Sequence, residues 1–172
     1  LEVFIKTHGE ELLRLSYTYV KNKEMSEDIV QDVLLKAYEQ RGQFRGDASY
    51  RTYLYRMTIN RSYDYLRSWS YKNTILTSKI QEIFKGTKSA EQQVLEQSES
   101  QILGNTVLEL PVKYREIIIL YYYKELKIDE IAHLLSISDS TVKTRLRRGR
   151  DKLREQLKGG EWHDKFSSEA SN

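Results

Sequence analysis

The 172-residue chain has no cysteine, one proline and eight glycines. Without thiols it can form neither a disulfide nor a thiolate metal site. With so few backbone breakers among plentiful Leu, Ile, Glu, Lys, Arg and Gln, helix is favoured over sheet. Three scattered histidines, His8, His133 and His163, share no ligand spacing, so no metal and no cofactor is expected. No run approaches the ~20 consecutive apolar residues of a membrane span, and no signal-peptide pattern opens the chain. The expectation is a soluble cytoplasmic protein that has lost an initiator Met before Leu1. Phosphate-binding glycine loops, nucleophile–base pairs and metal clusters are also missing, which argues against an enzyme and a small-molecule substrate.

What remains is helical periodicity and a localised charge. Leu12, Leu13, Leu15, Tyr19 and Val20 fall at helical spacing, and Lys21-Asn22-Lys23 interrupts them. Ser26, followed by Glu27 and Asp28, reads as a second helix start with acids in its first turn. Ile29, Val33, Leu34 and Ala37 continue it as an apolar stripe. Arg41-Gly42 and Arg45-Gly46-Asp47 mark a loop, and a third helix is expected from about Ser49 to Arg67, with Leu54, Met57 and Tyr65 inward. The stretch from Ser70 to Ser89 is polar and reads as a linker with one short amphipathic helix around Ile75, Leu76, Ile80, Ile83 and Phe84. A second block begins near Ala90, with Val94, Leu95, Ile102, Leu103 and Val107 on its first helix. Pro111 suits the first turn of the next helix, which Ile117, Ile118, Leu120 and Tyr121 carry inward. From Gly159 to Asn172 no periodicity remains, and Trp162 and Phe166 read as stray aromatics of a loose tail.

The net charge is only +3, but it is unevenly placed. Between Asp139 and Lys158 stand eight basic residues, Lys143, Arg145, Arg147, Arg148, Arg150, Lys152, Arg154 and Lys158, against Asp139, Asp151 and Glu155. Such a helix suits a polyanion, and equally a solvated face. The segment before it adds weight to the first option. A short helix from Ile128 to Leu135, the turn Ser136-Ile137-Ser138 and a longer helix from Asp139 to Leu157 have the form of a helix-turn-helix. Ala132 is small where the helices must cross, Ile137 and Val142 fill the corner, and Ser138 can cap the second helix. At ~100° per residue, Val142, Leu146, Gly149 and Leu153 share the inward face. Ser140, Thr144, Arg147 and Arg148 lie opposite, flanked by Thr141, Lys143 and Arg145. Arginine can grip guanine bidentately in the major groove, whereas Arg145 and Arg150 are better placed for phosphates. Ser136 stands where such turns often carry Gly, and Lys127 where a Ser or Thr would cap the first helix.

The run Phe44-Arg45-Gly46-Asp47-Ala48-Ser49-Tyr50-Arg51-Thr52-Tyr53-Leu54-Tyr55-Arg56 interleaves aromatics with cations. That mixture suits single-stranded DNA, with rings stacking on bases and guanidinium groups holding the backbone. Some of Tyr50, Tyr53, Tyr55, Tyr63 and Tyr65 must instead be core.

Three segments together resemble the extracytoplasmic-function, or group IV, sigma factors of bacterial RNA polymerase. Glu27-Asp28-Ile29-Val30-Gln31-Asp32 is similar to the acidic helix that docks on polymerase. Phe44-Arg45-Gly46 through Leu66-Arg67 is similar to the segment that opens and reads the −10 element. Leu110-Pro111-Val112-Lys113-Tyr114-Arg115-Glu116 through Thr141-Val142-Lys143-Thr144-Arg145-Leu146 is similar to the −35 reader. The resemblance implies an all-α fold of two small helical domains joined by a linker, the C-terminal one a helix-turn-helix. Residues 1–68 would be region 2, 69–89 the linker, 90–158 region 4 and 159–172 a flexible tail. Asp28, Gln31 and Asp32 would contact the beta and beta-prime subunits of core polymerase. Phe44, Arg45, Asp47, Ser49, Tyr50, Tyr53, Arg56, Asn60, Arg61 and Asp64 would meet the −10 DNA. There Tyr53 replaces a frequent Trp, and Asp64 would have to accept from a cytosine amino group. Ser140, Thr141, Lys143, Thr144, Arg145, Arg147 and Arg148 would meet the −35 element, with Arg115 on a phosphate. The resemblance also implies promoter DNA and an anti-sigma factor, often membrane-bound in the family, as partners, and a role in stress response. An ordinary helix-turn-helix regulator would share the last segment but has no need of the acidic helix or the aromatic run.

Overall fold

A computed structural model describes residues 2–40, 42, 49–80 and 99–157, and every regular element among them is helical. The chain divides into two compact units, Leu1–Glu96 and Gln97–Asn172. In the first, helices α1 (Glu2–Val20), α2 (Lys23–Glu39) and α3 (Tyr50–Ile80) pack on one another pairwise. Leu12, Leu15 and Tyr19 of α1 meet Val33, Leu34 and Ala37 of α2 and Leu54, Tyr55 and Ile59 of α3 in the core. Where α1 and α3 approach, the interior is small and polar. Ser16, Thr58 and Ser62 are fully buried. The Ser16 and Ser62 hydroxyls lie 3.3 Å apart, while Thr58 and Ser62 donate to carbonyls one turn back, of Leu54 and Thr58. Each of these three buried hydroxyls is thus satisfied, and the lack of bulk permits the close approach.

Two boundaries differ from the sequence expectation. Helix α2 starts one turn before Ser26: Asn22 is the cap, accepting from the Met25 N–H at 3.0 Å. Ser26 is buried within the helix and donates its hydroxyl to the Asn22 carbonyl. Lys21 takes φ 53° to make the break. Helix α3 does not stop at Arg67 but continues to Ile80. The polar composition after Ser70 suggests a loop, yet no Gly or Pro occurs between Tyr50 and Ile80 to end the helix. Of the expected short linker helix, Ile83 and Phe84 lie outside the described residues, as do Val94, Leu95 and the tail aromatics Trp162 and Phe166.

The second unit contains α4 (Glu99–Glu109), α5 (Val112–Ile118), α6 (Ile128–Leu135) and α7 (Asp139–Gln156). Pro111 stands at the cap of α5, just outside its first turn, and its carbonyl accepts from Tyr114 and Arg115. Helix α5 runs on into a π-helical turn, Ile119–Tyr123, closed by the Lys124 N–H on the Ile119 carbonyl; the apolar spacing gave no hint of it. Val142, Leu146, Gly149 and Leu153 are the buried face of α7, as their rotation predicts. Gly149 is favoured by close approach, since any side chain there would press Ile118 aside by a few tenths of an ångström. A Cβ there would stand 3.1 Å from Ile118 Cγ1 and 3.6 Å from Tyr114 Cβ.

The turn between α6 and α7 has the helix-turn-helix form. Ser136 sits in the left-handed region (φ 55°, ψ 45°), and Ser138 caps α7 by accepting from the Thr141 N–H at 3.2 Å. Lys127 offers no side-chain cap, but Glu130 reaches back to accept the Lys127 N–H at 2.8 Å. A non-glycine residue in the left-handed region is strained. Ser136→Gly should therefore stabilise the second unit by about 0.5 kcal/mol, after the added entropy of the unfolded chain. Urea unfolding followed by far-UV circular dichroism reads this, and a lowered midpoint would contradict it.

Candidate nucleic-acid and partner interfaces

The burial of Ile29, Val30, Val33, Leu34 and Ala37 turns Asp28, Gln31 and Asp32 outward along one exposed strip of α2. Leu35 is also outward, 43% exposed; a lone apolar residue on a polar face is a signal that the charge pattern hides. Asp32 is not an isolated acid. It accepts from Arg61 of α3 at 2.7 Å (Nη2) and 3.2 Å (Nε). The two helices flank an open groove of about 670 Å³ whose lining includes Asp32, Leu35, Lys36, Gln40, Met57, Asn60, Arg61 and Asp64. Residues expected to serve two different partners thus share one concavity. Asn60 and Asp64 are exposed in it, and Asp64 also pairs with Arg67 at 2.5 Å.

At the start of α3, Ser49 caps the helix by accepting from the Thr52 N–H at 3.1 Å. Tyr50 and Tyr53 are half-buried, with ring centroids 5.8 Å apart. Their hydroxyls donate to the Ala37 carbonyl and to Gln40 Oε1, each at 3.3 Å. Arg56 is half-buried beside them. Phe44, Arg45 and Asp47 lie outside the described residues. Tyr55 is the one fully core tyrosine among the described residues of the run and donates to Glu11, which also accepts from Arg51. Burial, and then the hydrogen bond to Glu11, pushes the Tyr55 phenol well above its ordinary range. The same carboxylate raises Arg51 through its hydrogen bond, against partial desolvation. Glu11 lies 40 residues from Arg51 in sequence, so no local pattern announces the tie.

In the second unit, Ser140, Lys143, Thr144, Arg147 and Arg148 are exposed on the outer face of α7, and Thr141 is half-buried against the Ser138 cap. Two arginines depart from expectation. Arg115 is 4% exposed and donates to the Leu108 and Leu110 carbonyls at 2.5 and 3.2 Å. It stitches the end of α4 to α5, so its expected place on a phosphate is not supported: its guanidinium is used on backbone carbonyls inside the unit. Arg145 is half-buried and reaches back to α5 while still lining the groove beside α7. Its Nη1 lies 3.3 Å from Oε1 of Glu116, a carboxylate only 3% exposed. In place of Arg115, the groove beside the outer face of α7 is lined by Lys113 and Tyr114 of α5, together with Ser140, Thr141, Thr144, Arg145 and Arg148. Lys113 and Tyr114 fall in the segment that resembles the −35 reader, but helical rotation within α7 alone could not reveal them.

The Sigma-70 region 2 family model matches residues 4–70, and the Sigma-70, region 4 model matches residues 100–153. The chain is 31% identical over 163 residues to the ECF RNA polymerase sigma factor SigW of Bacillus subtilis, covering 90% of this chain and 87% of that protein. It is 30% identical over 153 residues to RNA polymerase sigma factor SigV of the same organism, covering 89% and 88%. Among solved structures, the sigma factor RpoE crystallised with the anti-sigma factor NepR from Bartonella quintana shares the fold, with a TM-score of 0.68 at 21% identity over 92% of this chain and 99% of that one. CnrH, solved in complex with the cytosolic domain of CnrY, does so at 0.60 and 22%, over 90% and 84%.

The two kinds of arginine on α7 are separable by stability. Arg145→Ala leaves the buried Glu116 carboxylate without this donor and should cost about 2 kcal/mol. Arg148→Ala, on the exposed face, should stay within about 0.5 kcal/mol of the parent. Equal unfolding midpoints for the two variants would contradict the pairing of Arg145 with Glu116.

Proposed function

The chain belongs to the extracytoplasmic-function branch of the sigma-70 family, and from that membership we propose that it directs core RNA polymerase to a set of promoters, catalysing nothing itself. The observation that carries this reading is the order of the two units: a region 2 match over the three-helix unit, then a region 4 match over the helix-turn-helix unit. A duplex-binding regulator needs only the second.

The division of labour follows the faces of the helices. Residues 1–68 form the polymerase-binding and −10 unit, 69–89 the linker, 90–158 the −35 unit and 159–172 a tail. Asp28, Gln31 and Asp32, with Leu35 beside them, dock α2 on the beta and beta-prime subunits. Asn60, Arg61 and Asp64 line the groove next to that strip and meet the −10 element, together with Phe44, Arg45, Asp47, Ser49, Tyr50, Tyr53 and Arg56. Removing a base from the stack costs a few kcal/mol. A tyrosine pair already fixed by hydroxyl bonds to α2 can receive it without further ordering. Ser140, Thr141, Lys143, Thr144, Arg147 and Arg148 enter the −35 major groove, with Arg145 fixing the helix from behind. The sigma factor RpoE solved with the anti-sigma factor NepR supports an inhibitory partner of the same kind, covering these surfaces until a stress signal removes it. No described helix is long and apolar enough to cross a membrane.

Run-off transcription with core polymerase and a library of fragments from the source genome is the direct test: the full chain should select discrete start sites, and no start site above core alone would refute the reading. On a panel of −35 variants, Arg148→Ala should lose ~1–3 kcal/mol of discrimination at one position. An unchanged panel would remove Arg148 from the groove.

A further inference from the structure

Three cations from two helices gather around one phenol in the second unit. Lys113 Nζ lies 5.1 Å from the centroid of the Tyr114 ring, and Lys152 Nζ lies 6.0 Å from it. Arg148 lines the same groove as Tyr114; against the desolvation of its site, the neighbouring Arg148 and Lys113 cations bring the Tyr114 phenol below its ordinary range. Elsewhere on α7, Asp151 serves Arg147 and Arg154, and Glu116 serves Arg145. Among the described residues no carboxylate pairs with Lys113, Arg148 or Lys152.

Three like charges held together without an acid repel one another until an anion arrives. The ring quadrupole offsets part of that repulsion and orients both ammonium groups. The ring is itself fixed, because Tyr114 is 8% exposed and packs against Gly149. Lys113, Tyr114 and Arg148 also line the groove that holds Ser140 and Thr144, so the cluster is continuous with the outer face of α7.

We propose that Lys113, Lys152 and the Tyr114 hydroxyl form a phosphate-binding cradle for the DNA backbone, organised by the Tyr114 ring, which fixes the angle at which α7 enters the major groove. The inference rests on the reading that this unit docks on promoter duplex. Tyr114 is a positioning residue: it aligns two lysines from different helices beside the groove that Arg148 lines. Such contacts position the protein without reading sequence.

The test is the salt dependence of duplex binding by the full chain, measured on a promoter fragment and on a scrambled one. Removing one phosphate-binding cation should reduce the slope of log K against log salt by about 0.9. Between ~50 and ~200 mM salt, the affinities of Lys113→Ala and the parent should therefore converge by about threefold. Lys152→Ala should behave alike, and both should weaken the two fragments by the same factor. Tyr114→Leu should reproduce the flattening with both lysines in place, while Tyr114→Phe should keep most of the slope. A parental slope in both lysine variants, or a changed base preference in Lys113→Ala, would overturn the cradle. So would a folded Tyr114→Leu with the parental slope. If Tyr114→Leu does not fold, Lys113→Ala and Lys152→Ala decide the matter alone. A parent that binds neither fragment in a salt-dependent way and starts no transcript would instead refute the promoter reading beneath it.

Discussion

At Gly149 the backbone of α7 lies against Ile118 and Tyr114 of α5, at a distance no other side chain would leave undisturbed. Everything the second unit offers to a ligand follows from that contact. It buries Val142, Leu146 and Leu153 on one side of α7 and so turns Ser140, Thr144 and Arg148 to the other. It brings Arg145 within reach of Glu116, and it sets Tyr114 between cations of both helices. The capped turn at Ser136–Ser138 fixes where α7 begins, while the Gly149 contact fixes its rotation and depth. A recognition helix needs both, because a helix free to roll by one residue would present a different set of side chains.

The first unit solves a different problem. Its three helices must expose two kinds of surface, one acidic and one aromatic and basic, on a small core. The serines and threonine between α1 and α3 let those helices close up without large side chains. Glu11 ties α1 to the first turns of α3 through Arg51 and Tyr55. Helix α1, which carries none of the expected site residues, therefore helps to hold the first turns of α3, alongside the hydroxyl bonds of Tyr50 and Tyr53 to the end of α2.

Periodic features were the most readable in the sequence. The buried face of α7, the apolar stripe of α2 and the boundaries of α6 follow from spacing alone, because each lies on a helix whose partner covers a full face. Failures arose where one residue could satisfy two patterns. Ser26 before two acids looks like a cap, but Asn22 one turn earlier has the side chain that reaches the free N–H. The polar run after Ser70 looks like a loop, although nothing in it breaks a helix. Arg115 looks like a surface cation until the Leu108 and Leu110 carbonyls are brought beside it by the bend at Pro111. Of the interface residues, exposure on α2 and α7 could be read from rotation. The pairing of Asp32 with Arg61, and of Glu116 with Arg145, could not, since each partner lies 29 residues away.

The Asp32–Arg61 pair has a consequence for descent. Position 61 lines the same groove as Asn60 and Asp64 and also neutralises an acid on the neighbouring helix. A substitution at 61 that suited a new DNA sequence would unpair Asp32, and one at 32 that suited an altered partner would release Arg61. Under the proposed roles of the two residues, promoter preference and partner affinity are coupled at these two positions. Lineages should change them together, or leave both alone and diversify at Asn60 and Asp64.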